Sequence, residues 1–207
     1  MAQKVDLKKE LDSYLARRGV FRVLDVPTRR YLMIDGHGDP NTATFTTAVE
    51  SLYPVAYTLK FASKNELGRD YVVPPLEGLW WAEDMSTFTT ARDKSAWDWT
   101  LLLLVPDWVP PTMVEAAIEQ VGRTKSPPRL AEVRLEELTE ARCVQTLHVG
   151  PFDAEAEVLA QLHHEVLPAH GFTLAGKHHE IYLSDVRRTA SHRLRTILRQ
   201  PVTGGVR

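Results

Sequence analysis

The sequence predicts an α+β protein built from two copies of one strand-helix-strand-strand unit. Three observations favour this class. Each copy begins with an apolar strand that ends in a turn, RYLMIDGHGDP at 30–40 and RCVQTLHVGP at 142–151. A helical stretch follows in each copy, and then a strand that carries a glutamate, EGLWW at 77–81 and HEIYL at 179–183. Each copy ends with a further segment, residues 97–106 in the first and residues 192–201 in the second. Two such halves would join into a mostly antiparallel sheet with two helices on one face and the other face concave.

An N-terminal arm, residues 1–26, precedes the first copy, residues 27–121. The arm predicts a short amphipathic helix because apolar side chains recur at helical spacing, followed by a strand over 21–26. These apolar residues are Leu7, Leu11, Tyr14 and Leu15. In the first copy, residues 31–34 predict a strand and Asn41 is expected to cap the helix that follows. Pro54 lies inside this helix and should kink or split it.

Two further strands and a helix complete the first copy. Residues 71–81 predict a hairpin, or one strand bent at Pro74 and Pro75. Residues 97–105 predict an apolar strand, and residues 112–121 a short helix. The segment GRTKSPP that follows breaks regular structure, so we place a linker at 122–129.

The second copy spans residues 130–202. It begins with an extended stretch over 130–138 and a strand over 143–149. Asp153 is expected to cap a helix that runs to about His164. Residues 179–183 predict a strand, residues 194–198 a strand or helix, and residues 203–207 a frayed tail.

Composition indicates an ordinary globular protein, with 43% hydrophobic and 25% charged residues among 207. The net charge of -2 gives no general attraction to nucleic acid or to an anionic membrane, so we expect neither partner. The one cysteine, Cys143, cannot form an intrachain disulfide and excludes cysteine-based zinc sites. The N-terminus is charged where a signal peptide needs an apolar run, so we expect a cytoplasmic protein. The sequence leaves the oligomeric state open.

Two glutamates at matching positions of the copies, Glu77 and Glu180, are the main candidate site residues. Equivalent side chains of two similar halves usually face each other across a cleft. On a strand alternate residues share a face, so His178 and Tyr182 join Glu180, and Trp81 joins Glu77. A carboxylate beside aromatic rings can act as a general base or attract an organic cation. The alternative, two solvated strand residues, stays open.

Other motifs add no chemistry. The sequence has no His-Glu-x-x-His spacing, and adjacent histidines diverge on a helix or a strand, so we predict neither a metal site nor a cofactor. The turn GHGDPN at 36–41 does not match a dinucleotide-binding fingerprint, and no Gly-x-Ser-x-Gly elbow occurs. The arginines of 187–199 alternate with apolar residues, which is typical of a solvated face.

Five segments together resemble the stand-alone branch of the GyrI-like small-molecule-binding proteins. They are KVDLKKE at 4–10, YLMIDGHGDPN at 31–41, LYPVAYTLKF at 52–61, PLEGLWW at 75–81 and HEIYLSD at 179–185. The resemblance implies a single GyrI-like domain with the duplicated, or SHS2, fold and a concave ligand cleft. It also implies a relation to the effector domains of multidrug-sensing regulators, whose central glutamate faces cationic aromatic ligands. Glu180 is the matching residue.

The MIDG and EGLWW segments are similar to one branch that hydrolyses the cyclopropane of DNA-alkylating natural products of the yatakemycin and CC-1065 type. This resemblance implies a detoxifying hydrolase in which Glu180 orients or deprotonates the attacking water. Tyr57 or Tyr71 would then position the substrate, and Trp81 and Trp97 would stack on its flat rings. The alternative is a non-catalytic multidrug-binding protein: a sensor, a sequestering protein or a partner-regulating module.

Overall fold

The computed structural model describes residues 4–88 and 93–205, and it confirms an α+β chain with mostly antiparallel strands. The chain forms two compact units that alternate along the sequence. The first unit takes its described residues from 1–10, 29–74 and 81–138. The second takes them from 11–28, 75–80 and 139–207. The boundaries that we gave for the arm, the two repeats and the linker stay a prediction.

The regular elements are named here in chain order. The strands of the described residues are β1 (Arg22–Val26), β2 (Arg29–His37), β3 (Glu77–Trp81), β4 (Asp98–Val105), β5 (Arg134–Leu138), β6 (Ala141–Val149), β7 (Phe172–Leu174), β8 (His178–Tyr182) and β9 (Arg195–Gly204). The helices are α1 (Leu7–Glu10), α2 (Ala43–Glu66), α3 (Pro111–Thr124), α4 (Glu155–Gln161) and α5 (Leu167–Ala169). A π-helical turn, Leu162–Val166, joins α4 to α5.

The first unit consists of three antiparallel strands in the order β4-β2-β5, with α2 and α3 packed together. The apolar runs of β2 and β4 pair directly, with Tyr31 opposite Leu104 and Ile34 opposite Leu101. These side chains are buried, which explains why both strands lack the alternation of a half-exposed strand. The extended stretch at 130–138 that we assigned to the second repeat contributes β5, which pairs with β2 in this unit.

The long helix α2 differs from the sequence expectation at two points. It is continuous from Ala43 to Glu66 and contains Pro54, so the predicted split is wrong. Residues beside the proline, Leu52 and Val55, are fully buried, and this packing offsets the lost backbone hydrogen bond. The N-cap is Thr42, not Asn41; the Asp39 carboxylate instead accepts hydrogen bonds from the backbone and side chain of Asn41.

The second unit is an antiparallel sheet in the order β1-β6-β9-β8-β3. Strand β9 settles the choice left open for 194–198, because its apolar residues pair on both sides with β6 and β8. Its far end pairs with β7, where Thr203 faces Thr173. Residues 203–204, predicted to fray, therefore belong to a strand. The helical segment over 155–169 packs through a cluster formed by Val144, Leu162, Leu167 and Val202.

None of the helices in the described ranges is long and apolar enough to cross a bilayer.

Candidate functional site

The pairing of β3 with β8 decides where the two candidate glutamates lie. Gly78 is opposite Glu180, and Glu77 is opposite Ile181. Residues directly opposite in an antiparallel pair share a face, and neighbours along a strand point to opposite faces. Glu77 and Glu180 therefore project from opposite faces of this sheet. The expectation that they face each other is wrong, because the strands pair one residue away from the register that would align them.

Glu77 belongs to a buried network inside the second unit. Its side chain and that of His179 both have an exposed fraction of 0%. The Tyr14 hydroxyl donates to Oε1 of Glu77, and Oε2 lies 2.9 Å from Nε2 of His179. Both oxygens of this buried carboxylate therefore lie against protein groups, and contact of Glu77 with a ligand stays a prediction.

The network continues from His179 to a second carboxylate and a buried arginine. Nδ1 of His179 lies 2.9 Å from Oε1 of Glu140, and Nη1 of Arg199 lies 2.7 Å from Oε2. Arg199 also donates to Oε1 of Gln145 at 3.0 Å and to the backbone oxygen of Ser13 at 2.6 Å. With a carboxylate at each ring nitrogen, His179 is an imidazolium, and two positive charges offset two negative ones.

The pKa values of this network agree with that assignment. Burial opposes the charged form of His179, but Glu140 and Glu77 outweigh burial and raise its pKa to about 9. Burial also opposes the charge of Glu140, yet His179 and Arg199 lower its pKa to about 2. Both groups are thus charged between the two values.

The opposite face of the sheet carries a second carboxylate in a different setting. The Tyr182 hydroxyl donates to Oε2 of Glu180 at 2.8 Å, and the Trp80 indole N–H donates to the Tyr182 oxygen at 3.0 Å. Nε2 of His178 lies 3.5 Å from Oε1 of Glu180, whose side chain is 15% exposed. Burial raises the pKa of Tyr182, so its hydroxyl stays a donor. His178, Glu180 and Tyr182 thus share a face as predicted.

Gly78 makes this arrangement possible. A Cβ at this position would lie 2.8 Å from Nε1 of Trp80 and 3.0 Å from the Tyr182 oxygen. Those are the two atoms of the hydrogen bond that supports the Glu180 contact. A side chain at 78 would therefore push apart the groups that hold the carboxylate.

Three residues near Glu180 were not among the predicted site residues. Trp80, not Trp81, supports Tyr182, and only strand register could decide between the two adjacent tryptophans. The Phe152 ring packs edge-on against Tyr182 at 5.6 Å. Glu155, at the start of α4, is 4% exposed and neighbours Glu180. In the sequence it looks like an ordinary acidic residue in a first helical turn, so no local signal marks it.

The other predicted ligand contacts belong to the first unit. Trp97 stacks on Phe88 at 4.5 Å and Trp81 is half-buried. Tyr57 is 48% exposed, whereas Tyr71 is 2% exposed. Burial raises the pKa of Tyr71. Contact of these four side chains with a ligand stays a prediction.

The acidic and histidine side chains of the described ranges form no group of three or more that could hold a metal ion. The groups beside Glu180 are a hydroxyl from Tyr182, an imidazole from His178 and a carboxyl from Glu155.

The chain is similar to known proteins in sequence and in fold. The GyrI-like small molecule binding domain matches residues 106–202. An uncharacterized conserved protein from Listeria innocua is 38% identical, with a TM-score of 0.88, and the match covers 97% of this chain and 100% of that one. A hydrolase from Listeria innocua is 36% identical over the same shares, with a TM-score of 0.82. The chain belongs to the GyrI-like small-molecule-binding family.

A more distant likeness shows the fold alone. The C-terminal domain of EcmrR is 12% identical, with a TM-score of 0.53, over 89% of this chain and 97% of that one. No functionally curated protein matches the chain.

The buried network predicts a particular pH dependence of stability for His179→Gln. The folded pKa of His179 is raised, so its contribution is complete below about 6.5 and is lost as the pH rises through about 9. The folded pKa of Glu140 is lowered, so its contribution is present above about 4.5 and is lost as the pH falls through about 2. The variant should lose about 3–5 kcal/mol of unfolding free energy between these limits.

Urea unfolding of wild type and His179→Gln from pH 4 to pH 9, with exposed His192→Gln as control, would check this. The gap between wild type and His179→Gln should shrink toward about pH 9. A gap that stays constant with pH would show that His179 is not charged in the folded protein.

The close approach at Gly78 predicts that Gly78→Ala destabilises the second unit by about 1–3 kcal/mol, the usual cost of overpacking. In NMR spectra the Trp80 indole N–H resonance should shift, because its hydrogen bond to Tyr182 is displaced. Gly122→Ala is the matched control, since its Cβ would meet only Leu130 at an ordinary 3.4 Å. An unchanged Trp80 resonance in Gly78→Ala would contradict the role given to this glycine.

Proposed function

We propose that the chain binds a hydrophobic aromatic or cationic small molecule beside Glu180 and hydrolyses it by opening an activated cyclopropane with water. Such a reaction would detoxify a DNA-alkylating compound. The observation that carries the proposal is the Glu180 carboxylate, which lies among aromatic side chains and accepts a hydrogen bond from Tyr182. The 36% identity to a hydrolase from Listeria innocua supports an enzymatic activity.

The surroundings of Glu180 suit an aromatic ligand. Trp80, Tyr182 and Phe152 supply rings, and Phe152 is 40% exposed, so one apolar side chain at this place is open to solvent. A mostly buried carboxylate attracts a cation more strongly than a solvated one, and aromatic faces add a cation–π contribution. A flat ring system, neutral or singly charged, fits these groups.

The same carboxylate is suited to activate water. Oε2 accepts the Tyr182 hydrogen bond, and Oε1 lies toward His178. In the proposed reaction Glu180 takes a proton from water as the water oxygen bonds to a cyclopropane carbon. The ring carbon–carbon bond breaks, and its electron pair moves into the conjugated carbonyl, which becomes a phenolate. The proton held by Glu180 is then released, and the phenolate oxygen takes up a proton.

A second candidate function is that of a non-catalytic sensor or sequestering protein. The specific observation in its favour is that Glu180 accepts its hydrogen bond from an uncharged group, the Tyr182 hydroxyl, which in turn accepts from Trp80. A carboxylate with a neutral donor suits a cationic ligand, and binding alone would be a sufficient use of it.

The proposal predicts that Glu180→Gln loses turnover but keeps much of the binding, because the amide preserves shape and removes the base. Purified wild type and variant would be mixed with a cyclopropane-bearing alkylator and the products analysed by mass spectrometry. Wild type should give a product heavier by one water, and Glu180→Gln should be slower by roughly 10²–10⁴-fold. Glu137→Gln, which changes an exposed glutamate of β5, is the control.

Tryptophan fluorescence on ligand addition separates the two candidate functions. No product from wild type together with quenching of fluorescence would indicate a binder, and would refute hydrolysis for this substrate class.

A further inference from the structure

Glu155 is a buried acidic side chain to which the proposed reaction assigns no part. It is 4% exposed, and its Oε1 accepts no hydrogen bond from a donor group within residues 4–88 and 93–205. A charged carboxylate at this depth is strongly unfavourable unless a cation or several donors compensate it. Glu155 therefore either carries no charge or has a function that outweighs this cost.

The groups around Glu155 favour the uncharged form. Two acids, Glu180 on β8 and Asp153 just before α4, raise its pKa, whereas Thr196 on β9 acts the other way and is outweighed. Tyr182, also on β8, is close enough for Glu155 to raise its pKa. Burial first, and then the charge of Glu180, raise the pKa of Glu155 strongly. Ionising both of two adjacent carboxyl groups is unfavourable, which favours a proton held between them.

We propose that Glu155 is a positioning residue: it keeps a proton and donates it in a hydrogen bond to the Glu180 carboxylate. Glu180 then accepts two hydrogen bonds, from Glu155 and from Tyr182, which fix the carboxylate plane. This inference deepens the proposed function and depends on it only in taking Glu180 as the group that meets the ligand.

The arrangement has a consequence for ligand selection. Two carboxyl groups that share one proton carry a single negative charge, which matches a monocation or a neutral molecule and a water. Above the pKa of Glu155 both groups would be charged, their repulsion would separate them, and Glu180 would lose one of its two donors.

Two substitutions separate this role from others. Glu155→Gln keeps an uncharged donor of nearly the same shape, so turnover or cation affinity should stay within about threefold of wild type. Glu155→Leu removes the donor, and turnover should fall roughly tenfold to a hundredfold, as expected for a lost hydrogen bond to a charged group. KM should change less than kcat. Glu157→Gln, an exposed glutamate on the same helix, is the control.

Two readouts need no ligand. Infrared spectra at neutral pH should show the carbonyl band of a protonated carboxylic acid in wild type and not in Glu155→Gln. Thermal unfolding should find Glu155→Gln more stable than wild type, with a difference in Tm that grows as the pH rises above about 5. Glu155 should ionise near 4.5 in the unfolded chain but keep its proton in the folded one. A rise in pH therefore stabilises the unfolded state of wild type, and Glu155→Gln, which does not ionise, escapes this loss of stability.

The outcomes distinguish this inference from the proposed function. The role of Glu155 is overturned if the infrared band persists in Glu155→Gln, or if Gln impairs the protein as severely as Leu. If wild type neither turns over the alkylator nor binds tetraphenylphosphonium, the proposed function fails. The carboxyl ¹³C resonance of Glu180 then tests whether Glu155 positions Glu180. This resonance should shift in Glu155→Leu and stay near its wild-type value in Glu155→Gln.

Discussion

The register between β3 and β8 is the constraint on which the second unit depends. With Gly78 opposite Glu180, one face of this strand pair receives Glu77 and His179, and the other receives Trp80, Glu180 and Tyr182. A slip of one residue would exchange the faces. It would move the Glu77 charge to the face that carries Glu180 and Tyr182, and it would remove one of the two carboxylates that flank His179. The absence of a Cβ at Gly78 and the ion pairs of His179 both favour the observed register.

The carboxylates on the two faces of the sheet have different partners. Glu77 is compensated by a positively charged neighbour, so its charge contributes to folding and is not available to a ligand. Glu180 accepts a hydrogen bond from the uncharged Tyr182 hydroxyl and lies 3.5 Å from His178, and we propose that it attracts a cation or takes a proton from water. Family membership indicates small-molecule binding, and the different settings of the two glutamates are the reason why we propose Glu180 as the one that meets the ligand.

Much of the fold could be predicted from local patterns. The apolar runs of β2, β4 and β6 and the helical spacing in α2 decide element type, because burial on one or both faces controls residue choice. Three features could not be predicted: that β5 pairs with β2, that Glu77 lies on the face away from Glu180, and that Glu155 neighbours Glu180. Each depends on which strands pair and in which register, and a single strand does not encode its partner.

The most direct test of this account is a crystal structure of the protein with tetraphenylphosphonium, an aromatic cation. We expect the phosphonium centre near the Glu180 carboxylate, with a phenyl ring against Trp80 or Phe152 and with the Glu77–His179 pair unchanged. A ligand bound only to side chains of the first unit, such as Tyr57, with no contact to Glu180, would contradict the account.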